Sequence, residues 1–270
     1  MEKILSTVKR FDLAIINRSF WPRNKVTGEA LLQLSEKTIH EGKSVIVITQ
    51  SSKNLNKTTK ESGRGLSVTF KACKARSNSS TKLPYRILDE LIFMLWVIWN
   101  LILTRPKYIY VSTDPPIILP FVVFLYSKIS GSSYTYHVQD IHPEASNIVV
   151  KFNSLLFSLL KKMDNLTIRN ASNIVTITQT MKDQITTRSK TKSKIYLVDN
   201  PTATVTGITK NKISGFVFSG NMGRLQKIPL ILKSINKYKE QGGILPFLFI
   251  GEGVYSNEIS LLANKHKSVE

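Results

Sequence analysis

Residues 216–225 read FVFSGNMGRL, in which four strand-forming residues run into Gly220 and are followed closely by Gly223 and Arg224. The residues from 225 onward, LQKIPLILKSINKY, have the apolar spacing of a helix and add a second cation, Lys227. A strand that ends in glycines and leads into a helix beside a cation is a phosphate-binding arrangement of α/β proteins. The stretch matches neither GxGxxG nor GxxxxGK followed by Ser or Thr, so it predicts a phosphate site without a dinucleotide or P-loop fingerprint.

The same alternation of strands and helices runs through the whole chain. Helices are predicted at 29–42, 85–103, 117–130 and 151–171, and the polar stretch 51–65 is predicted to be a loop. The apolar, β-rich runs that predict strands are LAII (13–16), SVIVIT (44–49), LSVTFKACK (66–74), YIYVST (108–113), SYTYHVQD (133–140), NIVTIT (173–178), KIYLVDNP (194–201) and LPFLFIGEG (245–253). Strands that alternate with helices predict a doubly wound parallel sheet.

The chain divides at a stretch without periodicity. Residues 202–215, TATVTGITKNKISG, are small and polar and predict a linker. We therefore expect a first domain over 1–200, a linker over 201–213 and the start of a second domain over 214–270. The second part has two predicted strands, whereas a mean sheet has about five to six. Either these strands join the first sheet or the chain is a fragment, and we favour the fragment.

The charge of the chain predicts a polyanionic partner. Lys and Arg number 38 against 18 acidic residues, which gives a net charge of +20 and a pI near 10.0. Nucleic acid, an anionic lipid surface and a phosphorylated substrate all fit this surplus, and so does a lysine-rich surface with no partner. The sequence carries no motif of a DNA- or RNA-binding domain, which disfavours nucleic acid. The single cysteine, Cys73, excludes an internal disulfide framework.

One apolar stretch raises the question of a membrane. LIFMLWVIWNLIL, 91–103, has 13 residues and is interrupted by Asn100. A bilayer span needs about 20 residues, so the stretch predicts a buried helix. The alternative is a helix lying in a membrane surface, because Trp96 and Trp99 belong to it and cations flank it. The first residues lack the pattern of a signal peptide.

The stretch TYHVQDIHPE, 135–144, concentrates polar groups at the predicted end of a strand. His137, Asp140, His142 and Glu144 are expected at the carboxyl end, where open α/β sheets bind ligands. Asp140 is equally open to interpretation as a helix cap or turn residue. A metal site from His137, His142 and Glu144 is an alternative, although the spacing is not that of HExxH.

Two further residues are candidates with simpler alternatives. Asp114, in VSTDPP, either shapes a pocket or belongs to a rigid turn before two prolines. Gly28, in FWPRNKVTGE, either lets a backbone approach a phosphate at a helix N-terminus or is an ordinary loop glycine.

The order of these segments resembles that of family-4 glycosyltransferases of the GT-B fold, in particular bacterial enzymes of surface-polysaccharide assembly such as O-antigen, capsule or exopolysaccharide. The resemblance implies an α/β protein with two Rossmann-like doubly wound parallel sheets, of which the second is incomplete here. The acceptor would bind on the first domain and the nucleotide-sugar on the second. The segments that carry the resemblance are FWPRNKVTGEALLQLSEKTIHEGKSVIVIT, YVSTDPPIILPFVVFLYSKISGSSYTYHVQDIHPE, ASNIVTITQTMKDQI, IYLVDNP, FVFSGNMGRLQ and FLFIGEG.

The resemblance also implies roles for residues. Asp140, with His137 and His142, would lie at the sugar-transfer centre, and Gly28 and Arg224 would contact the donor diphosphate. Lys227 departs from the family's usual spacing. The remaining implied members are Gly220 and Gly223 for the diphosphate and Asp114 and Glu144 for the acceptor pocket.

The implied reaction is retaining transfer from a UDP- or GDP-linked sugar, without cofactor or metal, since no DxD motif is present. The implied acceptor is a polyprenyl diphosphate-linked saccharide, met by a cytoplasmic enzyme bound peripherally to the inner face of the plasma membrane.

One feature of the family is absent. A pair of glutamates eight positions apart, which holds the donor in the family, has no copy before Glu270. We therefore expect weak or no transfer by this chain alone, and the alternative function is an inactive truncated transferase or a non-catalytic partner of such an enzyme. A nucleotide-sugar epimerase is disfavoured, because no GxGxxG follows the first strand.

Overall fold

The computed structural model describes residues 10–24, 26–77, 81, 83–149, 151–200 and 214–265. The chain divides into two compact units. The first comprises 1–147 and 152–203, and the second comprises 148–151 and 204–270. The predicted linker over 201–213 lies outside the described residues.

The first unit contains one parallel sheet with helices on both faces. The described strands are β1 (Leu13–Ser19), β2 (Val45–Gln50), β3 (Thr69–Cys73), β4 (Tyr108–Ser112), β5 (Ser133–Val138), β6 (Asn173–Thr176) and β7 (Lys194–Leu197). The described helices are α1 (Thr27–His40), α2 (Leu55–Ser62), α3 (Leu83–Thr104), α4 (Ile118–Ser130), α5 (Glu144–Val149), α6 (Ser154–Asn170) and α7 (Gln179–Ser189).

The strand order is β3-β2-β1-β4-β5-β6-β7, and every pairing is parallel. The predicted parallel sheet is confirmed. In the register, Ile15 of β1 lies between Val47 of β2 and Tyr110 of β4. The order reverses between β1 and β4, so a crevice at the carboxyl ends of these strands is the expected place for a ligand.

Two apolar cores explain why the strands are continuous runs of apolar residues. Helices α3, α4, α6 and α7 cover one face of the sheet, where Phe93, Leu119 and Ile168 are fully buried. Helices α1 and α2 cover the β1–β3 part of the other face, through Leu32 and Leu55. A strand covered on both faces has no position for an exposed polar side chain.

The prediction that 51–65 is a loop was wrong in part, because α2 occupies Leu55–Ser62. The side chain of Asn54 caps this helix by accepting a hydrogen bond from the Lys57 amide at 3.2 Å, and Gly63 ends it with a φ of 67°. Only Leu55 and Thr59 are buried, so tertiary contact on one narrow face holds a helix whose other residues are polar.

Helix α3 is longer than its apolar stretch predicted, with 22 residues. By length and composition alone, Pro84–Thr104 is apolar enough to cross a bilayer. Its inner face nevertheless belongs to the core, because Phe93, Val97 and Leu101 are fully buried. Its outer face is apolar as well: the side chains with more than half of their surface exposed include Tyr85, Leu88, Leu91, Leu95 and Trp99.

The second unit is a small α/β arrangement of its own. Strands β8 (Phe216–Ser219) and β9 (Phe247–Ile250) pair in parallel in a separate sheet, so they do not join the first one. Helices α8 (Ile228–Glu240) and α9 (Ser256–Lys265) pack on it through Ile228, Ile235 and Ile259.

Candidate active site

An ion pair joins the strand ends at the reversal of strand order. The Asp114 carboxylate, just beyond β4, lies 3.2 Å from Nε of Arg18 in β1 and accepts a hydrogen bond from the Ser19 amide at 2.8 Å. Nη1 of Arg18 also lies 2.8 Å from the Glu90 carboxylate of α3. Asp114, an expected pocket residue, therefore has its carboxylate engaged in fixing β1 against β4.

Gly28 lies in the first turn of α1 and is buried against the loop after β1. A Cβ atom on Gly28 would be 2.5 Å from the Trp21 nitrogen and 2.8 Å from the Phe20 carbonyl carbon. No real Cβ tolerates such distances from backbone, so packing alone requires glycine here. No side chain caps the N-terminus of α1, which leaves the positive end of its dipole available to an anion.

The start of α1 touches the end of β5. Nε2 of Gln139 donates a hydrogen bond to Oγ1 of Thr27 at 3.0 Å. This contact joins the neighbours of the two predicted residues Gly28 and Asp140. Asp140 is exposed, and within the described ranges its carboxylate has no hydrogen bond or salt bridge. The sequence thus identified a free carboxylate next to an uncapped helix N-terminus.

The two histidines near Asp140 occupy different surroundings. His137, on β5, is only 6% exposed, and neither of its ring nitrogens has a hydrogen-bond partner. Burial lowers the pKa of His137 to about 4, so its imidazole is neutral at pH 7. It packs edge-on against Tyr110, with ring centroids 5.7 Å apart, and lines a cavity of about 420 Å³ beside α1.

His142 lies in the loop after β5. Its Nδ1 is 2.7 Å from Oγ of Ser146. Burial lowers the pKa of His142, against the opposing effect of the Asp140 and Glu144 carboxylates. No hydrogen bond joins His142 to His137 in the described part of the chain, and no three side chains of the metal-binding types cluster there.

Glu144, the other expected pocket residue, is held by cations. Its carboxylate lies 2.9 Å from Nη1 of Arg188 on α7 and 3.1 Å from Nζ of Lys161 on α6. Burial alone would raise the pKa of Glu144, but a backbone hydrogen bond and these two cations lower it. Glu144 therefore anchors the loop after β5.

Arg188 is the centre of this anchor and was missed in the sequence. Its guanidinium pairs with Asp164 of α6 and donates a hydrogen bond to the His142 carbonyl oxygen at 2.7 Å. Asp164 also accepts a hydrogen bond from the Tyr136 hydroxyl at 3.0 Å. The side chains of Arg188 and Asp164 are 6% and 3% exposed. No periodicity relates these residues, so only the fold reveals the pairing.

The glycine turn of the second unit differs from the expectation in one respect. Gly223 precedes a short 3₁₀ turn, Arg224–Gln226, and α8 begins only at Ile228, whereas the sequence predicted a helix directly after the glycines. Pro229 sets this start, because proline fits the first turn of a helix and disfavours a helical residue before it. Lys227 is exposed with a φ of 51°, and the side chain of Arg224 lies outside the described part of the structure.

The two strand ends of this unit approach each other closely. The Gly220 amide donates to the Ile250 carbonyl oxygen and the Met222 amide to that of Glu252, both at 2.9 Å. Gly251 has a φ of 145°, and a Cβ atom there would be 1.9 Å from the Gly220 oxygen. Glycine is thus required at Gly251 to bring the two loops together.

The relatives of this arrangement are found by structure rather than by sequence. No protein-family model matches the chain, and no curated protein matches its sequence. HepE from Anabaena, solved in complex with UDP, matches with a TM-score of 0.56 and 13% identity over 96% of this chain and 68% of its own. The transferase TarM from S. aureus, in a complex that includes UDP, matches with a TM-score of 0.61 and 10% identity over 96% of this chain and 76% of its own. The fold is that of the GT-B glycosyltransferases.

The prediction of an α/β fold of GT-B type is confirmed. A plant protein, UGT89C1 of Arabidopsis thaliana complexed with UDP-L-rhamnose, matches at a TM-score of 0.51 and 13% identity over 91% of this chain and 69% of its own. Within this GT-B fold, Gly28, Asp114 and Asp140 lie at the carboxyl edge of the first sheet, and Gly220 and Gly223 lie at the carboxyl end of β8.

Proposed function

We propose that this chain is a glycosyltransferase that moves a sugar from a UDP- or GDP-linked donor to a polyprenyl diphosphate-linked saccharide during the assembly of a bacterial surface polysaccharide. One observation carries the proposal. In a GT-B fold, the carboxylate of Asp140 is exposed and unpaired within the described residues, next to the uncapped N-terminus of α1. A free carboxylate beside an anion-attracting helix end suits a site that handles both a sugar and a phosphate.

The donor diphosphate is assigned to the turn Gly220–Lys227, with Gly28 as a further contact. Support comes from glycines that expose the backbone amides of this turn and from two cations, Arg224 and Lys227. In the reaction, the bond between the anomeric carbon and the diphosphate oxygen breaks, and negative charge develops on the departing group. Fixed positive charge next to that oxygen lowers the barrier, so the assignment requires neither metal nor cofactor.

The transfer centre is assigned to Asp140 with His142 and His137. We expect retention of configuration: the acceptor hydroxyl attacks on the face from which the diphosphate departs, and its proton passes to the leaving phosphate oxygen. The carboxylate of Asp140 stabilises positive charge on the sugar ring, and His142, neutral because burial lowers its pKa, is able to accept a hydrogen bond.

The place of action is assigned to the inner face of the plasma membrane, with the protein bound peripherally from the cytoplasm. Support comes from the net charge of +20 and from the apolar outer face of α3. Anionic lipid attracts such a surplus of cations, and apolar side chains gain from contact with the acyl region.

The test is transfer of radiolabelled sugar from UDP-glucose, UDP-N-acetylglucosamine or GDP-mannose to the lipid fraction of bacterial membranes, with a label sensitive enough to detect slow turnover. We expect one donor to serve, and Asp140→Asn to reduce transfer on the order of a hundredfold or more. Asp183→Asn, an exposed aspartate on α7, is the matched control. Equal activity of the two variants contradicts the role of Asp140, and absence of both transfer and nucleotide binding contradicts the function.

A further inference from the structure

A cavity of about 230 Å³ lies at the carboxyl ends of β1 and β2, beside the segment that follows β3. It belongs entirely to the first unit. Its lining comes from these three segments and the first turns of α3, and consists of Arg18, Ser19, Arg23, Gln50, Ala75, Ser77 and Arg86. The carboxyl edge of an open α/β sheet is the edge that binds ligands.

The cavity carries uncompensated positive charge. Arg18 is neutralised by its pairs with Glu90 and Asp114. Arg23 and Arg86, in contrast, form no hydrogen bond or ion pair with any described residue. The remaining nearby carboxylate, Asp89, accepts hydrogen bonds from the backbone and side chain of Ser77 and from Gln50, so its charge holds the loop after β3 in place. Two free guanidinium groups on one small cavity favour a bidentate anion such as a phosphate or diphosphate.

A second pocket adjoins the cavity and shares Arg23 and Gln50 with it. This pocket has a volume of about 190 Å³ and presents the aromatic residues Phe20 and Trp21, together with Lys53 and serine hydroxyls. An apolar ring beside hydroxyl and ammonium groups suits a ligand that has both apolar and polar faces, as a sugar ring does. The two pockets together fit a sugar joined to a phosphate.

The outer face of α3 starts at the same place. Tyr85 and Leu88 flank Arg86 in sequence, and both are more than half exposed. The apolar stripe continues along the helix through Leu91 and Leu95, which are 51% and 67% exposed. A contiguous exposed apolar stripe marks an interaction surface, and an anion site at one end of it fits an amphipathic ligand with an acidic head and a hydrocarbon chain.

We propose that the cavity between Arg23 and Arg86 binds the diphosphate of an isoprenoid-linked acceptor, whose hydrocarbon chain lies along the outer face of α3. The inference rests on the proposed function and deepens it, since it assigns the acidic group of the acceptor to a site on the first unit. The adjoining pocket with Trp21 then receives the sugar next to the diphosphate.

The test is calorimetric titration of the full 270-residue chain with inorganic pyrophosphate and with farnesyl diphosphate. The test variant is Arg23→Gln/Arg86→Gln. The matched variant, Arg10→Gln/Arg105→Gln, removes two arginines from a different cavity, of about 550 Å³, at the other end of α3. A second pair compares Leu88→Ser/Leu91→Ser with Leu155→Ser, which replaces an exposed leucine on α6. Urea midpoints from tryptophan fluorescence confirm that each variant is folded.

We expect Arg23→Gln/Arg86→Gln to weaken both probes on the order of tenfold or more, because each arginine contributes charge-assisted hydrogen bonds. Leu88→Ser/Leu91→Ser should weaken only farnesyl diphosphate, and the two control variants should weaken neither probe. UDP is titrated in parallel. Absent UDP binding refutes the donor half of the proposed function, whereas farnesyl diphosphate binding that depends on Arg23 and Arg86 still supports the acceptor site.

Three results would overturn the inference. The first is unchanged affinity for both probes in Arg23→Gln/Arg86→Gln. The second is an equal loss in Arg10→Gln/Arg105→Gln or a complete loss in Arg224→Ala, either of which places the diphosphate elsewhere. The third is farnesyl diphosphate that binds no more tightly than pyrophosphate and is insensitive to Leu88→Ser/Leu91→Ser, since the hydrocarbon chain then makes no contact with α3.

Discussion

The buried pair of Arg188 and Asp164 anchors the loop that carries Asp140, and replacing Arg188 by Met should be one of the most damaging single changes in the first unit. The substitution keeps an unbranched side chain of similar reach but removes the guanidinium. Asp164, whose side chain is 3% exposed, loses its only cationic partner among the described residues. The carbonyl oxygen of His142 and the Glu144 carboxylate lose a donor as well.

The size of the effect follows from burial. Removing one partner of a buried ion pair costs about 3–5 kcal/mol, because the other charge remains buried without compensation. Lys161→Met is the matched control, since Lys161 pairs with the same Glu144 but is 39% exposed. An exposed pair contributes about 0–1 kcal/mol, so Arg188→Met should cost at least about 2 kcal/mol more than Lys161→Met.

The assay is urea unfolding followed by tryptophan fluorescence. All three tryptophans, Trp21, Trp96 and Trp99, belong to the first unit, so the signal reports on that unit alone. Asp164→Asn/Arg188→Met should recover part of the loss, because it removes the uncompensated charge, with a coupling energy of about 0.5–3 kcal/mol in the double-mutant cycle.

The variant should also depend on pH in a defined direction. Burial raises the pKa of Asp164 even with Arg188 present. Without Arg188, folded Asp164 retains its proton to a higher pH than unfolded Asp164, so stability falls as pH rises through the folded pKa. The cost of Arg188→Met should therefore be smaller at pH 5 than at pH 7.5. Equal costs for Arg188→Met and Lys161→Met at both pH values would refute the reasoning.

Three further substitutions test other parts of the structure. Gly28→Ala, which places a Cβ 2.5 Å from the Trp21 nitrogen, should cost several kcal/mol in the same urea assay, and a loss below about 1 kcal/mol would contradict the close packing of α1. His137→Leu should abolish an acid destabilisation of about 2 kcal/mol at pH 5, because folded His137 has a pKa of about 4 and stability is lost as pH falls from about 6.5 towards that value. An unaltered pH profile of the variant would show that His137 is not the titrating group. Gly251→Ala should lower the thermal stability of the second unit, measured by circular dichroism, more than Gly242→Ala, since both positions have positive φ but only Gly251 has a clash; equal losses would show that the clash is relieved.

Strong local patterns made much of the fold predictable. SVIVIT is continuous and β-branched because β2 is buried on both faces, and that property is visible in one sequence. Helix α2 was missed because it buries only Leu55 and Thr59, so its sequence has no apolar stripe to detect.

The candidate site was predictable only where a motif follows a strand. Asp140 and Gly28 were found because polar or glycine residues directly follow apolar runs. The Arg188–Asp164 pair and the Arg23–Arg86 cavity join residues 24 and 63 positions apart, and no periodicity relates them. The fold alone brings such residues together.

The most direct test of the central claim is calorimetric titration of the 270-residue chain with UDP and with GDP. The variants are Arg224→Ala and, as a matched exposed cation on α8, Lys233→Ala. The account predicts that one nucleotide binds, that Arg224→Ala removes most of the affinity and that Lys233→Ala leaves it unchanged. Absence of binding by both nucleotides, or equal losses in the two variants, would contradict the assignment of the glycine turn to a nucleotide-sugar diphosphate.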